Sequence, residues 1–178
     1  HRDVAELGVG QRALDHLGLA WIEDPLPPCD PLSLGELAGE LRTPVCAGES
    51  LAGREAFEAL ADQGRVAFLH VDVGWAGGVS AALEVARIAE RRRRRLLLHD
   101  CCGPISLATS LHIATLVETD VRVEMVRPYL RTSYPRIAEG VPAVTGGSAA
   151  PGGPGHGCTH SPSFLKECRR RTSAWAKR

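Results

Sequence analysis

Residues 66–100 have the sequence VAFLHVDVGWAGGVSAALEVARIAERRRRRLLLHD, and this stretch predicts the fold of the chain. Residues 66–71 are rich in large and β-branched apolar side chains, which is typical of a buried strand. A pair of glycines then leads into residues 79–94, whose apolar side chains recur at helical spacing. Residues 96–98 are apolar and predict a second strand. A strand, a helix and a second strand in this order predict a crossover between two parallel strands.

The same alternation continues on both sides of this stretch. A capping-box pair, Ser33 and Glu36, is expected to begin one of the helices. Five strands separated by helices indicate an α/β fold with a parallel sheet, arranged either as a barrel or as a doubly wound sheet. This unit is predicted to occupy residues 1–127. Strands are predicted at residues 19–23, 43–48, 66–71, 96–98 and 121–125, and helices at 3–16, 33–41, 54–62, 79–94 and 104–117.

The alternation ends near residue 127, so residues 128–178 are interpreted as a C-terminal extension. Residues 146–157 are rich in Gly, Pro, Ala and Ser, a composition that predicts irregular structure at the surface. Residues 166–178 carry six cationic side chains against Glu167 alone. This segment is predicted to be a solvated tail.

Composition and charge narrow the range of partners. The 178 residues include 21 Lys plus Arg and 21 Asp plus Glu, so no net field attracts nucleic acid. The five arginines at 91–95 lack interleaved aromatic residues and are interpreted as a solvated helix end. No apolar stretch approaches the roughly 20 residues of a membrane span, and the first residues do not resemble a signal peptide. The chain is therefore expected to be cytoplasmic, with no nucleic-acid or membrane partner.

An ionisable side chain stands at the end of each predicted strand. The carboxyl ends of parallel strands meet at one side of the sheet, so these side chains are expected to converge. Strand ends border polar loops, and any one of these residues could be there by chance; the set of five predicts a common site. The residues are Glu23, Glu49, Asp72, His99 and Glu124, spaced 26, 23, 27 and 25 residues apart.

The residue types in this set point to metal binding and proton transfer. Glu23 and Glu49 on adjacent strands could share Mg²⁺, which prefers oxygen ligands. Asp72 and His99 form a base with a carboxylate that orients it, an arrangement suited to proton abstraction. The alternative for His99 is a core histidine that the backbone satisfies.

Four runs of the sequence fall at the ends of predicted strands: WIEDPLPP (21–28), AGES (47–50), VDVGWAGG (71–78) and HDCCGP (99–104). In their order and spacing they resemble the mandelate racemase subgroup of the enolase superfamily, and the resemblance extends from residue 3 to residue 165. It implies a modified (β/α)7β barrel, similar to a TIM barrel. The chain would hold about five of its parallel strands and would lack the early strands and the capping domain. Each run alone is weakly specific, whereas four at βα spacing are strong evidence.

The resemblance also implies a role for each residue of the set. Glu23 and Glu49 match the second and third ligands of Mg²⁺, the cofactor of the family. Asp72 and His99 match its general-base dyad. Glu124 matches the acid on the last strand, which hydrogen-bonds the developing enolate oxygen and must be protonated to do so. The implied reaction removes the proton α to the carboxylate of a small-molecule acid.

Several functional alternatives stay open. The segment around residues 126–140 resembles that of acid-sugar dehydratases, which favours dehydration to a 2-keto-3-deoxy acid. A racemase or epimerase of a 2-hydroxy acid, or a non-catalytic remnant, is the alternative. The family's first metal ligand would precede the helix that opens this chain, so weak Mg²⁺ binding and little turnover are expected of the chain alone. Relatives commonly assemble from identical subunits, which implies a homo-oligomer.

Overall fold

Five short parallel strands form the main sheet in the part of the chain that the structure describes. The structure is a computed structural model and describes residues 13–141 and 150–175, with side chains as far as residue 169. The strands follow one another in chain order, and neighbours are parallel. A doubly wound sheet reverses its strand order at one point, whereas a barrel does not. The sheet is therefore a segment of a TIM-like barrel. Its strands are β1 (Ile22–Glu23), β2 (Val45–Ala47), β3 (Phe68–Val71), β4 (Arg95–Leu98) and β5 (Val121–Val123).

Helices connect these strands and cover one face of the sheet. Side chains alternate along a strand, so Leu69 and Leu98 face the helices. They share a buried cluster with helical residues such as Phe57 and Ile88, and each such side chain stabilises the fold by roughly 1.5–3 kcal/mol through burial. The connecting helices are α1 (Pro31–Glu40), α2 (Arg54–Asp62), α3 (Val73–Ala76), α4 (Val79–Arg92) and α5 (Pro104–Ala114).

The opposite face of the sheet is the interior of the barrel segment. Cys46, Phe68 and Leu97 form a second, smaller cluster there, with Trp21 packed against it. The ring of Phe68 also lies under the guanidinium of Arg95, 5.2 Å from its centroid. This apolar layer supports the polar side chains that follow on the same strands toward their carboxyl ends.

Element boundaries agree with the sequence where local signals decide them. The helix predicted at 54–62 is confirmed as α2. Helix α1 begins at Pro31, two residues before the predicted start, because Asp30 rather than Ser33 is its N-cap. The Asp30 carboxylate accepts a hydrogen bond of 3.2 Å from the Ser33 N–H, and proline suits the first helical position. The predicted Ser33–Glu36 capping box is therefore wrong.

The first predicted strand is shorter and more exposed than expected. Only Ile22 and Glu23 pair with β2, and neither is buried. Of the predicted helix at 3–16, residues 3–12 lie outside the described residues. Residues 15–17 form a 3₁₀ turn that ends at Gly18, whose φ of 62° is left-handed.

Residues after β5 form regular elements that the sequence did not predict. The first of them pack on α5, where Leu107, Leu111 and Tyr134 form a buried cluster. Of the Gly-rich segment, residues 150–157 contain no helix or strand, as predicted. Residues 162–175 are helical, and Lys166, Cys168 and Arg169, in the segment predicted to be a solvated tail, are exposed. The elements are α6 (Arg127–Arg131), α7 (Ser133–Ile137), an antiparallel pair of β6 (Ala138–Glu139) with β7 (Thr159–His160), and α8 (Pro162–Trp175).

The arginine run at 91–95 ends α4 and contacts neighbouring elements. Arg92 pairs with Asp62, and Arg94 donates a hydrogen bond of 3.0 Å to the Ala61 carbonyl. The interpretation of this run as a simple solvated patch is therefore incomplete. No helix within residues 13–141 or 150–175 combines the length and the apolar character needed to cross a bilayer.

Candidate active site

His99 lies at the centre of the site, directly after β4. Its Nδ1 is 2.8 Å from Asp72 Oδ2. Its Nε2 is 3.3 Å from Glu49 Oε2 and 3.7 Å from Glu124 Oε2. The structure thus brings together four of the five residues singled out in the sequence around one imidazole. The ring's hydrogen-bond partner is a carboxylate rather than a backbone group, in contrast to the core-histidine alternative.

Asp72 is held by the start of helix α3. Its Oδ1 accepts hydrogen bonds from the N–H groups of Gly74 (2.7 Å) and Trp75 (3.0 Å), which leaves Oδ2 for His99. Burial raises the pKa of Asp72, but the hydrogen bonds from His99 and from the backbone outweigh it and hold the pKa below its usual value. An ionised Asp72 favours a proton on Nδ1 of His99, so that Nε2 is free to accept a proton.

The environment of His99 makes it a stronger base. Burial lowers its pKa, while the hydrogen bond to Asp72 and the charges of Glu49 and Glu124 raise it, and the net shift is upward. Its side chain is 10% exposed. The imidazole is therefore shielded from bulk solvent by the groups that stabilise its protonated form.

Glu124 follows β5 and is partly buried. Its Oε2 accepts a hydrogen bond of 3.1 Å from the Asp100 N–H. Burial raises the pKa of Glu124, in spite of the opposing effects of that hydrogen bond and of His99. A carboxyl group with a raised pKa is protonated over a wider pH range and can then donate a hydrogen bond.

Glu23 lies at the end of β1, near His70. Its carboxylate accepts a hydrogen bond of 3.2 Å from Trp21 Nε1. A carboxylate oxygen of Glu23, the Cys46 sulfur and a ring nitrogen of His70 lie within 4.8 Å of one another. Glu49 Oε2 lies 3.7 Å from Nδ1 of the same His70. Glu23 and Glu49 therefore both lie close to His70, and their oxygen atoms are of the kind that Mg²⁺ prefers.

His70 is a site residue that the sequence analysis missed. It is fully buried, and its Nδ1 and Nε2 each lie 3.7 Å from a carboxylate oxygen, of Glu49 and Glu124 respectively. Its ring meets that of His99 edge-on, with centroids 5.1 Å apart. Burial and the nearby His99 lower the pKa of His70 to about 4. Strand alternation could have identified it, because His70 stands two residues before Asp72 and shares its face.

Asp24 and Asp100, each next to a predicted site residue, were also missed. Asp24 accepts a hydrogen bond of 3.3 Å from the Gly48 N–H, and burial together with the charge of Glu49 raises its pKa to about 6. Asp100 is fully buried and accepts hydrogen bonds from the Val126 N–H (3.0 Å) and the Tyr134 hydroxyl (2.6 Å). These carboxylates connect the loops that carry Glu49, His99 and Glu124.

Part of this chain is similar in sequence to several dehydratases. The D-galactonate dehydratase of Ralstonia nicotianae is 35% identical over 102 residues, which are 57% of this chain and 27% of that protein. The D-gluconate/D-galactonate dehydratase of Picrophilus torridus is 31% identical over 105 residues, 59% of this chain and 27% of that protein. The chain thus spans little more than a quarter of the length of these relatives.

Solved structures and a family model extend the similarity to nearly the whole chain. An enolase of the mandelate racemase subgroup from Agrobacterium tumefaciens superposes with a TM-score of 0.86 at 29% identity, over 93% of this chain and 45% of that one. An enolase from the Sargasso Sea environmental genome gives 0.83 at 30% identity, over 92% of this chain and 44% of that one. The model of the enolase C-terminal domain-like family matches residues 8–163. The chain belongs to this family, as the four sequence runs indicated.

Proposed function

We propose that this chain carries the proton-transfer end of a Mg²⁺-dependent acid-sugar dehydratase. The observation that carries the proposal is the placement of His99 between ionised Asp72 on one nitrogen and the carboxyl groups of Glu49 and Glu124 on the other. The similarity to galactonate and gluconate dehydratases supports dehydration as the outcome. The substrate would be a small sugar acid.

His99 performs the first step. Its Nε2 takes the proton from the carbon α to the substrate carboxylate, and the electron pair of that C–H bond moves into the carboxylate to give an enediolate. Asp72 stabilises the resulting imidazolium through Nδ1. Glu23 and Glu49 would hold Mg²⁺, whose positive charge would stabilise the enediolate.

Glu124 and His99 share the second step. Protonated Glu124 donates a hydrogen bond to the enediolate oxygen, where negative charge develops. The electron pair then returns to expel the β-hydroxyl group, which takes the proton from His99 and leaves as water. The resulting enol becomes a 2-keto-3-deoxy acid, and His99 is again neutral.

Isotope exchange tests this function. The chain is incubated with Mg²⁺ in D₂O with D-galactonate, D-gluconate and other aldonic and uronic acids, and α-deuterium and 2-keto-3-deoxy product are measured. Because little turnover is expected of the chain alone, we expect slow product formation, which His99→Asn abolishes and His160→Asn, on the exposed β7, leaves unchanged. Deuterium incorporation without product would indicate a racemase or epimerase. Absence of exchange with every acid would support a non-catalytic remnant, and exchange surviving in His99→Asn would remove His99 as the base.

A further inference from the structure

We propose that Glu23, Cys46 and His70 form a binding site for a divalent transition-metal ion of the Zn²⁺ type. One ligand atom of each residue lies within 4.8 Å of the others. The three residues come from neighbouring parallel strands β1, β2 and β3. Glu23 and Cys46 are register partners, while Cys46 pairs with Phe68, so His70 lies two residues further toward the carboxyl end. The strand register therefore places all three side chains on the interior face of the barrel segment.

The buried, unpaired ring nitrogens of His70 are an independent observation that points to a ligand. Its side chain is fully buried, and neither ring nitrogen has a hydrogen-bond partner among the described residues. The 3.7 Å separations from Glu49 and Glu124 are too long for hydrogen bonds. A buried polar nitrogen without a hydrogen-bond partner destabilises the folded protein. A metal ion on one ring nitrogen would remove part of that penalty.

The donor set selects the class of ion. Thiolate and imidazole ligands favour Zn²⁺ and similar ions, whereas Mg²⁺ prefers oxygen ligands alone. Cys46 is fully buried beside Phe68 and Leu97. On binding, its S–H bond breaks, the sulfur electron pair forms the bond to the metal, and the proton is released to solvent.

The geometry requires only a small contraction. Bonds to Zn²⁺ of 2.0–2.3 Å place tetrahedral ligand atoms about 3.3–3.8 Å apart, so shifts of about 1 Å bring the cluster into range. Glu23 is exposed and its carboxylate can rotate to supply an oxygen. The fourth position is left for water.

A metal ion bound at this cluster would also affect the magnesium site. Glu23 belongs to both donor sets, so a Zn²⁺-type ion on Cys46 and His70 would compete with Mg²⁺ on Glu23 and Glu49. This consequence rests on the proposed function, whereas the transition-metal site itself does not.

Cobalt substitution tests the site without an activity assay. The 178-residue chain, reduced and metal-free, is titrated with Co²⁺ in the absence of air, and the near-ultraviolet thiolate-to-cobalt charge-transfer band is recorded. We expect a band that saturates at one equivalent and that Zn²⁺ abolishes by displacement. Cys46→Ser should remove the band, and Glu23→Gln, at an exposed position, should weaken Co²⁺ binding at least tenfold while retaining it.

Matched variants distinguish this site from a nearby thiol and from the proposed magnesium site. Cys102→Ser removes a thiol that lies near Asp72 but outside the cluster, and the band should persist. Glu49→Gln should weaken Mg²⁺ binding while the cobalt–thiolate band persists, so failure of the magnesium proposal is distinguishable from failure of this one. Absence of a band in the wild-type chain, or a band that survives in Cys46→Ser, would overturn the proposal. Circular dichroism confirms that each variant is folded.

Discussion

The Tyr134 hydroxyl donates a hydrogen bond of 2.6 Å to the carboxylate of Asp100, the residue that follows the proposed base. Asp100 also accepts the Val126 N–H, and its own N–H binds Glu124. Tyr134 belongs to α7, which lies after the barrel strands. One buried carboxylate therefore ties the segment after β5 to the loops that carry His99 and Glu124.

Replacing Tyr134 by Phe should destabilise the protein by about 1–3 kcal/mol, since a buried carboxylate loses one of its donors. Urea denaturation monitored by circular dichroism measures the change. Tyr129→Phe is the control, because Tyr129 is 40% exposed and its ring packs against that of Tyr134. It should change the free energy of unfolding by less than about 0.5 kcal/mol. Equal effects of the two variants would contradict this role of the Tyr134 hydroxyl.

Two glycines of α1 should respond oppositely to alanine. A Cβ at Gly35 would overlap the backbone carbonyl of Gln63, whereas a Cβ at Gly39 would meet only the Arg65 guanidinium, at 3.0 Å. Backbone cannot move as easily as the end of a flexible side chain. We expect Gly35→Ala to destabilise by about 1–3 kcal/mol. Gly39→Ala should range from neutral to about 1 kcal/mol stabilising, since alanine favours helix.

Thermal denaturation of both glycine variants measures this difference. A Gly35→Ala variant as stable as Gly39→Ala would mean that α1 does not approach the end of α2 as closely as the structure places it.

The stability contributed by Asp72 should depend on pH in a defined direction. The pKa of Asp72 is lowered in the folded protein, so its contribution is present above the unfolded value of 3.8 and is lost as the pH falls through the folded pKa. Asp72→Asn should therefore be about 1–3 kcal/mol less stable than wild type at pH 7. The difference should shrink below about pH 4.

Urea denaturation at pH 7, 5 and 3 measures this trend. Asp120→Asn is a suitable control because the Asp120 side chain is 48% exposed and pairs with Arg95 at 3.5 Å. Such surface pairs contribute about 0–1 kcal/mol. A difference for Asp72→Asn that grows on acidification would refute the assignment of an ionised carboxylate.

Glutamine and alanine at position 124 should differ in catalysis. Glutamine keeps an N–H donor for the substrate oxygen and an oxygen for the Asp100 N–H, while alanine removes both. We expect Glu124→Ala to reduce the rate of α-proton exchange by about 10²–10³, as for the loss of an oxyanion donor, and Glu124→Gln to lose less. Exchange rates measured by proton NMR in D₂O provide the comparison. Equal rates for both variants would exclude hydrogen-bond donation by residue 124.

Local sequence signals predicted much of the fold. Helix α2 begins and ends at the predicted residues because its apolar stripe and the following Gly64 are local features. The start of α1 was misplaced, since Asp30 and Ser33 are both acceptable caps and packing selects between them. Strand β1 was predicted too long, because only Ile22 and Glu23 have pairing partners in β2.

The sequence alone determined the βα alternation and the strand-end positions of Glu23, Glu49, Asp72, His99 and Glu124, because both follow from periodicity along the chain. Periodicity left both a barrel and a doubly wound sheet possible, and the consecutive strand order decided between them. The burial of His70 beside Cys46 and the bond between Tyr134 and Asp100 appeared only in the tertiary structure. These contacts join residues 24 to 34 positions apart, which no local pattern specifies.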